Sequence, residues 1–266
     1  MPTINAYEMT ARLGFAARAL TYLAIGYLTL RLGRTEDNQG ALSFIAGVGG
    51  DIVLALMALG FLGYGVWRLC EAAIDTEGQG TKAKGIATRV GGAVSGLIHL
   101  ALCWAAVALI GENGGGGSSD AAEQGASTAL GFPGGTVVLG LVAALLLALG
   151  AFQIVKAVKL GFLRHLEPGA AHRAWVAWVG RAGYLARGLV FAATALFMWR
   201  AGQHHRAADA GGLEQALDSF PDTLRLLVAA GLFLFGVFSL VEARYRRITD
   251  PQVIDRLCRG ARRAMS

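Results

Sequence analysis

Six stretches of about twenty apolar residues constrain this chain more than any other feature. They lie near 13 to 32, 51 to 70, 90 to 110, 136 to 156, 182 to 200 and 224 to 242. A helix of that length covers roughly 30 Å, the thickness of a bilayer's hydrocarbon core. Strands of a membrane barrel are shorter and alternate with period two, which these segments do not. Of the 266 residues, 55% are hydrophobic and 16% are charged, against about 25% charged in a soluble domain. So much apolar surface needs lipid. The expected fold is all-α, a polytopic membrane protein with six transmembrane helices.

Orientation follows from the placement of Lys and Arg in short connections. Lys82, Lys84, Arg89, Lys159, Arg164 and Arg173 follow the second and fourth apolar stretches, whereas the connection from Gly111 to Gly135 holds Glu112, Asp120 and Glu123 and no basic residue. Arginines crowd the C-terminus, from Arg244, Arg246 and Arg247 to Arg256, Arg259, Arg262 and Arg263. Both termini are expected on the cytoplasmic side of a bacterial inner (plasma) membrane. The net charge of +6 is then explained by topology and an anionic inner leaflet, and no nucleic-acid partner is required. Met1 to Thr10 is polar. Arg12 and Arg18 before a short apolar run resemble a cleaved signal, but the same pattern returns at Arg181 and Arg187, so the first stretch reads as a retained helix. Cys70, Cys103 and Cys258 form no CxxC and read as packing residues.

The chain repeats itself. Arg12-Leu13-Gly14, Arg89-Val90-Gly91 and Arg181-Ala182-Gly183 bring the odd-numbered apolar stretches into register. The even-numbered ones align over nine positions, Tyr64 to Ala72, Leu149 to Ala157 and Phe235 to Ala243, each with Gly second, an aromatic fourth, a polar residue fifth, a charge eighth and Ala last. Between the two stretches of each unit lies a Gly-rich segment followed by a short helical pattern, clearest at Leu213, Leu217 and Phe220, expected to lie against the outer ends of the bundle. Gly114 to Gly117 with Ser118 and Ser119 reads as a linker, lacking the GK[ST] of a phosphate loop. The expected units are 1–80, 81–165 and 166–248, followed by a basic amphipathic tail over 249–266. Units that begin and end on one side are parallel repeats, and a pseudo-threefold ring of helix pairs is the expected arrangement.

The Arg-x-Gly-Tyr/Phe-x-Ala-Arg motif of Arg12 to Arg18 and Arg181 to Arg187, with the Gly-x-aromatic-x-x-x-Glu-Ala motif of the even stretches, resembles a bacterial family of uncharacterised membrane proteins. This is domain-of-unknown-function family 1206, described as three tandem two-helix units. The resemblance runs from about Ala11 to Ala243, and the middle unit departs from both motifs. It implies a fold and no activity.

Fourfold steps along the odd helices give three columns: Gly14, Arg18, Tyr22, Gly26; Gly91, Ser95, His99, Cys103; Gly183, Arg187, Phe191, Ala195. Small residues at both ends permit close approach, so this face is expected to point inward. An arginine in a bilayer needs a partner or a route to the interface. Units with Arg18 or Arg187 carry Glu71 or Glu242, and the unit with Ser95 carries Lys156. The expected pairs are therefore Arg18 with Glu71 and Arg187 with Glu242, with Arg12 and Arg181 as alternative partners. His99 lies mid-helix and reads as a hydrogen-bonded packing histidine, because no other His shares its depth. His204, His205 and Asp209 form a cluster that reads as solvated loop. No HExxH, GxSxG, paired intramembrane Asp or CxxCH is present, so no catalytic, cofactor or metal site is expected and the chain is expected not to be an enzyme. After the last stretch, Asp250 and Pro251 can open a surface helix whose arginines meet anionic lipid.

Two functional readings follow. In the first, the chain is a non-enzymatic membrane module or scaffold packing against lipid or a partner membrane protein. In the second, it is a small transporter or channel for an anion or anionic lipid headgroup, built on Arg18, Arg187, Lys156 and His99. An interior packed with Phe61, Trp67, Phe152 and Phe238 favours the first. A cavity lined by the basic residues favours the second.

Overall fold

The computed structural model describes residues 6–75, 80–110 and 120–247. Among them all extended regular structure is helical, the one β-bridge joining Leu166 and Arg246. Six helices are long and apolar enough to span: α1 (Ala6–Leu32), α2 (Asn38–Ile74), α3 (Ala83–Ala108), α5 (Gly135–Lys159), α7 (Ala174–His204) and α9 (Asp222–Tyr245). The shorter α4 (Asp120–Leu130), α6 (Pro168–Ala171) and α8 (Leu213–Asp218) lie between them. The basic tail expected over 249–266 lies outside the described residues.

Gly50 divides α2. Its φ of +67° lies where only glycine sits without strain, so the chain turns there and two helices abut. Asp37 caps the first, its carboxylate accepting from the backbone N–H groups of Gln39 and Gly40 at 2.8 and 2.9 Å. This first half of α2 takes the place that α4 and α8 take in the other units, and its Ala41 and Leu42 are fully buried. The expected short helical segment is thus present in each unit.

Around the bundle the spans neighbour one another in the order α3, α2, α1, α9, α7, α5. Each odd helix packs on the even helix of the preceding unit: α3 on α2, α7 on α5, α1 on α9. The repeated glycine of the even helices makes this possible. A Cβ on Gly65 would stand 3.1 Å from the Gly96 carbonyl, one on Gly150 2.9 Å from Gly188, and one on Gly236 3.0 Å from Ala19. Ala19, Gly96 and Gly188 are themselves equivalent in the repeat, so the three contacts between hairpins are built alike.

Contacts within hairpins are not alike. A Cβ on Gly14 would fall 2.2 Å from Tyr64 Cβ, and one on Gly183 2.7 Å from Phe235 Cα, so α1 and α7 press against their own partners α2 and α9. The equivalent Gly91 would meet only the tip of Leu149, at 3.5 Å, and α3 and α5 make no extended contact. The expected pseudo-threefold ring is therefore broken inside its middle unit.

Candidate functional site

Three equivalent arginines close the side of the bundle where even helices end. Arg12 donates to the carbonyls of Ala243 and Arg244 at 2.8 and 2.6 Å, Arg89 to Ala72 and Ala73 at 2.7 and 3.0 Å, and Arg181 to Ala157 at 3.3 Å. Each caps the final carbonyls of the preceding hairpin's even helix, where orphan acceptors and the negative end of the helix dipole favour a cation. Arg12 and Arg181, expected as alternative partners for the acids, serve these helix ends.

One turn deeper lies a buried charge network. Arg18 pairs with Glu242, and its guanidinium also donates to Ser239 Oγ and Tyr64 Oη, both at 3.1 Å. Arg246 donates to the other Glu242 oxygen at 2.6 Å. Glu242 is 1% exposed, so both cations are needed to offset its desolvation. Glu71, fully buried, accepts from Arg68 at 3.4 Å and lies against Gly92 of α3.

The expected pairs of Arg18 with Glu71 and Arg187 with Glu242 do not form. The physical reason is the packing order: an odd helix meets the even helix of the preceding unit, so Arg18 faces Glu242 across α1 and α9. By the same rule Arg187 on α7 faces the helix that carries Lys156 rather than an acid. Arg246, counted above with the tail arginines, is buried in the network.

Lys156 and Arg187 line one cavity of about 190 Å³ in the centre of the bundle, together with His99 and Gln153. Neither cation makes an ion pair among the described residues. Lys156 Nζ stands 4.9 Å from the Tyr184 ring centroid and 5.4 Å from Phe152. The Arg187 guanidinium lies 4.5 Å from Phe235, 5.3 Å from Phe191 and 5.4 Å from Tyr22, with its Nε buried and without a hydrogen-bond partner. Aromatic faces offset about 0.5–2 kcal/mol of a cation's burial each, less than a carboxylate does. Among the described residues no Asp or Glu lines the cavity, whereas Arg18 and Arg68 do.

His99 is 7% exposed, its Nδ1 2.7 Å from the Ser95 carbonyl and its ring 4.3 Å from Tyr64. Its Nε2 is buried with no partner. Ser95 lines the cavity beside it. A second cavity of about 160 Å³ adjoins the first across Tyr22, Asn38, Arg187 and Phe191. On the opposite side of the molecule His204 bonds Asp209 at 2.6 Å while His205 meets Thr136 at 3.2 Å.

Tyr64, Arg68, Gln153, Tyr184 and Ser239 were not singled out from the sequence. The signal for three of them was the polar fifth position of the nine-residue motif: Arg68 and Gln153 line the cavity, and Ser239 holds Arg18.

Fold and charge placement define a polytopic helical membrane protein of three two-helix repeats, with a basic cavity where the middle repeat opens. The sequence profile described as Domain of Unknown Function (DUF1206) matches residues 13–75, 90–159 and 182–246, one segment for each repeat, and the chain belongs to that family. It is 26% identical over 251 residues, 90% of each chain, to the Uncharacterized protein YxxB of Bacillus subtilis (strain 168). No solved structure matches it.

Proposed function

We propose that the protein is a non-enzymatic anion-binding membrane protein, a carrier or channel-type site for an anion or anionic headgroup. One observation carries the reading: Lys156 and Arg187 face a common cavity and, among the described residues, it has no acid on its wall and they have no ion pair of their own. Two like charges held in low dielectric repel, and an anion between them turns that repulsion into attraction. The adjoining second cavity puts Arg187 between two chambers, as a site serving passage requires. The scaffold reading draws on Phe61, Trp67 and Phe238, all fully buried, but Phe61 and Phe152 both line the cavity. In the orientation the basic connections imply, both termini face the cytoplasm of the inner membrane, and the partners are the bilayer and its anionic headgroups.

The test is thermal unfolding of the purified protein in neutral detergent at low ionic strength, titrated with inorganic phosphate. Wild type gains stability with phosphate, by about 2.7 kcal/mol at a hundredfold excess over Kd. A Lys156→Gln, Arg187→Gln double variant gains none. Equal gains in both proteins, or none in wild type, overturn the reading.

A further inference from the structure

We propose that the anion is the phosphate of a hydroxyl-bearing phospholipid headgroup, admitted sideways between α3 and α5. The phosphate sits on Lys156 and Arg187, and a headgroup hydroxyl donates to His99 Nε2. This rests on the anion-binding reading above and adds the ligand's chemistry and its route.

The route comes from the break in the ring. Everywhere else neighbouring spans press backbone to backbone, but between α3 and α5 the nearest approach at Gly91 is the tip of one leucine side chain. Ile98 lines the cavity and is also 44% exposed, so the wall at this point is shared with the surroundings of the bundle. In a bilayer those surroundings are lipid. The depth fits as well. Lys156 stands three residues before the end of α5 at Lys159, about 4.5 Å along the axis, so a headgroup needs to be drawn in by about one turn while its acyl chains stay outside. A volume of about 190 Å³ is far more than one water requires and too small for two acyl chains.

The hydroxyl comes from His99. Because the Ser95 carbonyl only accepts, Nδ1 carries the hydrogen, and the neutral ring presents a lone pair at Nε2. That lone pair is buried in the cavity wall without a donor. A phosphodiester offers only acceptor oxygens, which suit Lys156 and Arg187 and cannot satisfy Nε2. A hydroxyl on the same ligand supplies that donor, and Gln153, 8% exposed on the same wall, provides both a donor and an acceptor for its neighbours.

The experiment uses the full chain in nanodiscs of equal phosphatidylcholine, phosphatidylglycerol and phosphatidylmethanol, followed by native mass spectrometry of retained lipid. Phosphatidylmethanol carries the same diester charge without hydroxyls. Wild type is expected to keep one phosphatidylglycerol, enriched about tenfold over phosphatidylcholine and about fivefold over phosphatidylmethanol. Lys156→Gln with Arg187→Gln brings retention to the phosphatidylcholine level. His99→Phe lowers phosphatidylglycerol retention to the phosphatidylmethanol level and so removes the preference between the two anionic lipids, while His99→Gln, which keeps an acceptor, preserves it. Gly91→Phe fills the opening and lowers lipid loading below wild type. Free phosphate binding that depends on Lys156 and Arg187, without lipid enrichment, overturns the headgroup inference and leaves the anion reading standing. Neither lipid nor free phosphate binding overturns both. Equal phosphatidylglycerol retention by wild type and the double variant marks surface lipid only and overturns the inference.

Discussion

The first and third hairpins are closed and carry a paired acid on their even helices; the middle hairpin is open and carries a lysine at that position. Closure follows from the first position of the even-helix motif, where the backbone and ring of Tyr64 or Phe235 receive Gly14 or Gly183, while Leu149 stands off from Gly91. Neutralisation follows from the eighth position, where Glu71 and Glu242 accept from Arg68, Arg18 and Arg246, and Lys156 has only aromatic faces. Two diverged positions in one copy of a repeat are enough to turn a packing unit into a cavity with charge to spare. The two closed copies hold the bundle together, which leaves the middle one free to open a cavity toward Arg187 of the third.

The sharpest way to break this contrast is to remove the equivalent charges one at a time. Glu242→Gln leaves Arg18 and Arg246 buried without their carboxylate, an expected loss of about 3–5 kcal/mol, which for a protein of this size lowers the melting temperature by about 10 °C. Lys156→Gln removes a cation that repels its neighbours, so the unliganded protein should be unchanged or slightly more stable. Thermal unfolding in anion-free detergent compares them. Equal losses would make the two positions alike and erase the distinction between the hairpins.

A Cβ probe sharpens the comparison at somewhat smaller cost. Gly14→Ala and Gly183→Ala drive a methyl into Tyr64 and Phe235, an expected loss of about 1–3 kcal/mol through overpacking. Gly91→Ala meets nothing closer than 3.5 Å and should gain up to about 1 kcal/mol from helix propensity. The same melting curves decide it, and a destabilised Gly91→Ala would mean that α3 and α5 are closed in the membrane.

Much of this architecture was readable from the residues. Long apolar runs and nine-position motifs mark six spans in three units because lipid and close packing each impose a strict local pattern, on length and on glycine placement. The charge pairing was not readable, because a sequence shows which residues share a unit and not which units share an interface. Arg18 and Glu242 are 224 positions apart. Within-unit matching of Arg18 with Glu71 and of Arg187 with Glu242 used real co-occurrence but the wrong adjacency. The arginines that cap helix ends escaped for another reason: their acceptors are backbone carbonyls, which no side-chain pattern reveals. The opening at Gly91 was hidden because Leu149 is as apolar as Tyr64 or Phe235 and differs from them only in shape.

The smallest expected effect lies on the opposite side of the molecule, where the closed hairpins are joined. Thr35 donates to Asp218 at 2.7 Å, tying the first hairpin to α8 of the third. Beside this contact, burial first, and then the charges of Asp37, Glu36 and Asp218, push the Glu214 carboxyl above the usual glutamate range. A carboxyl raised in the folded state favours folding fully below its unfolded pKa, and that contribution disappears as pH climbs through the raised value. At pH 7 the ionised Glu214 therefore works against the junction. Glu214→Gln should raise the melting temperature at pH 7 by no more than about 2 °C, and the difference should shrink at pH 4, below the usual glutamate range, as the folded wild type takes up its proton. A gain of the same size at both pH values would assign the effect to packing and remove the acidic cluster from the account of how the two closed hairpins meet.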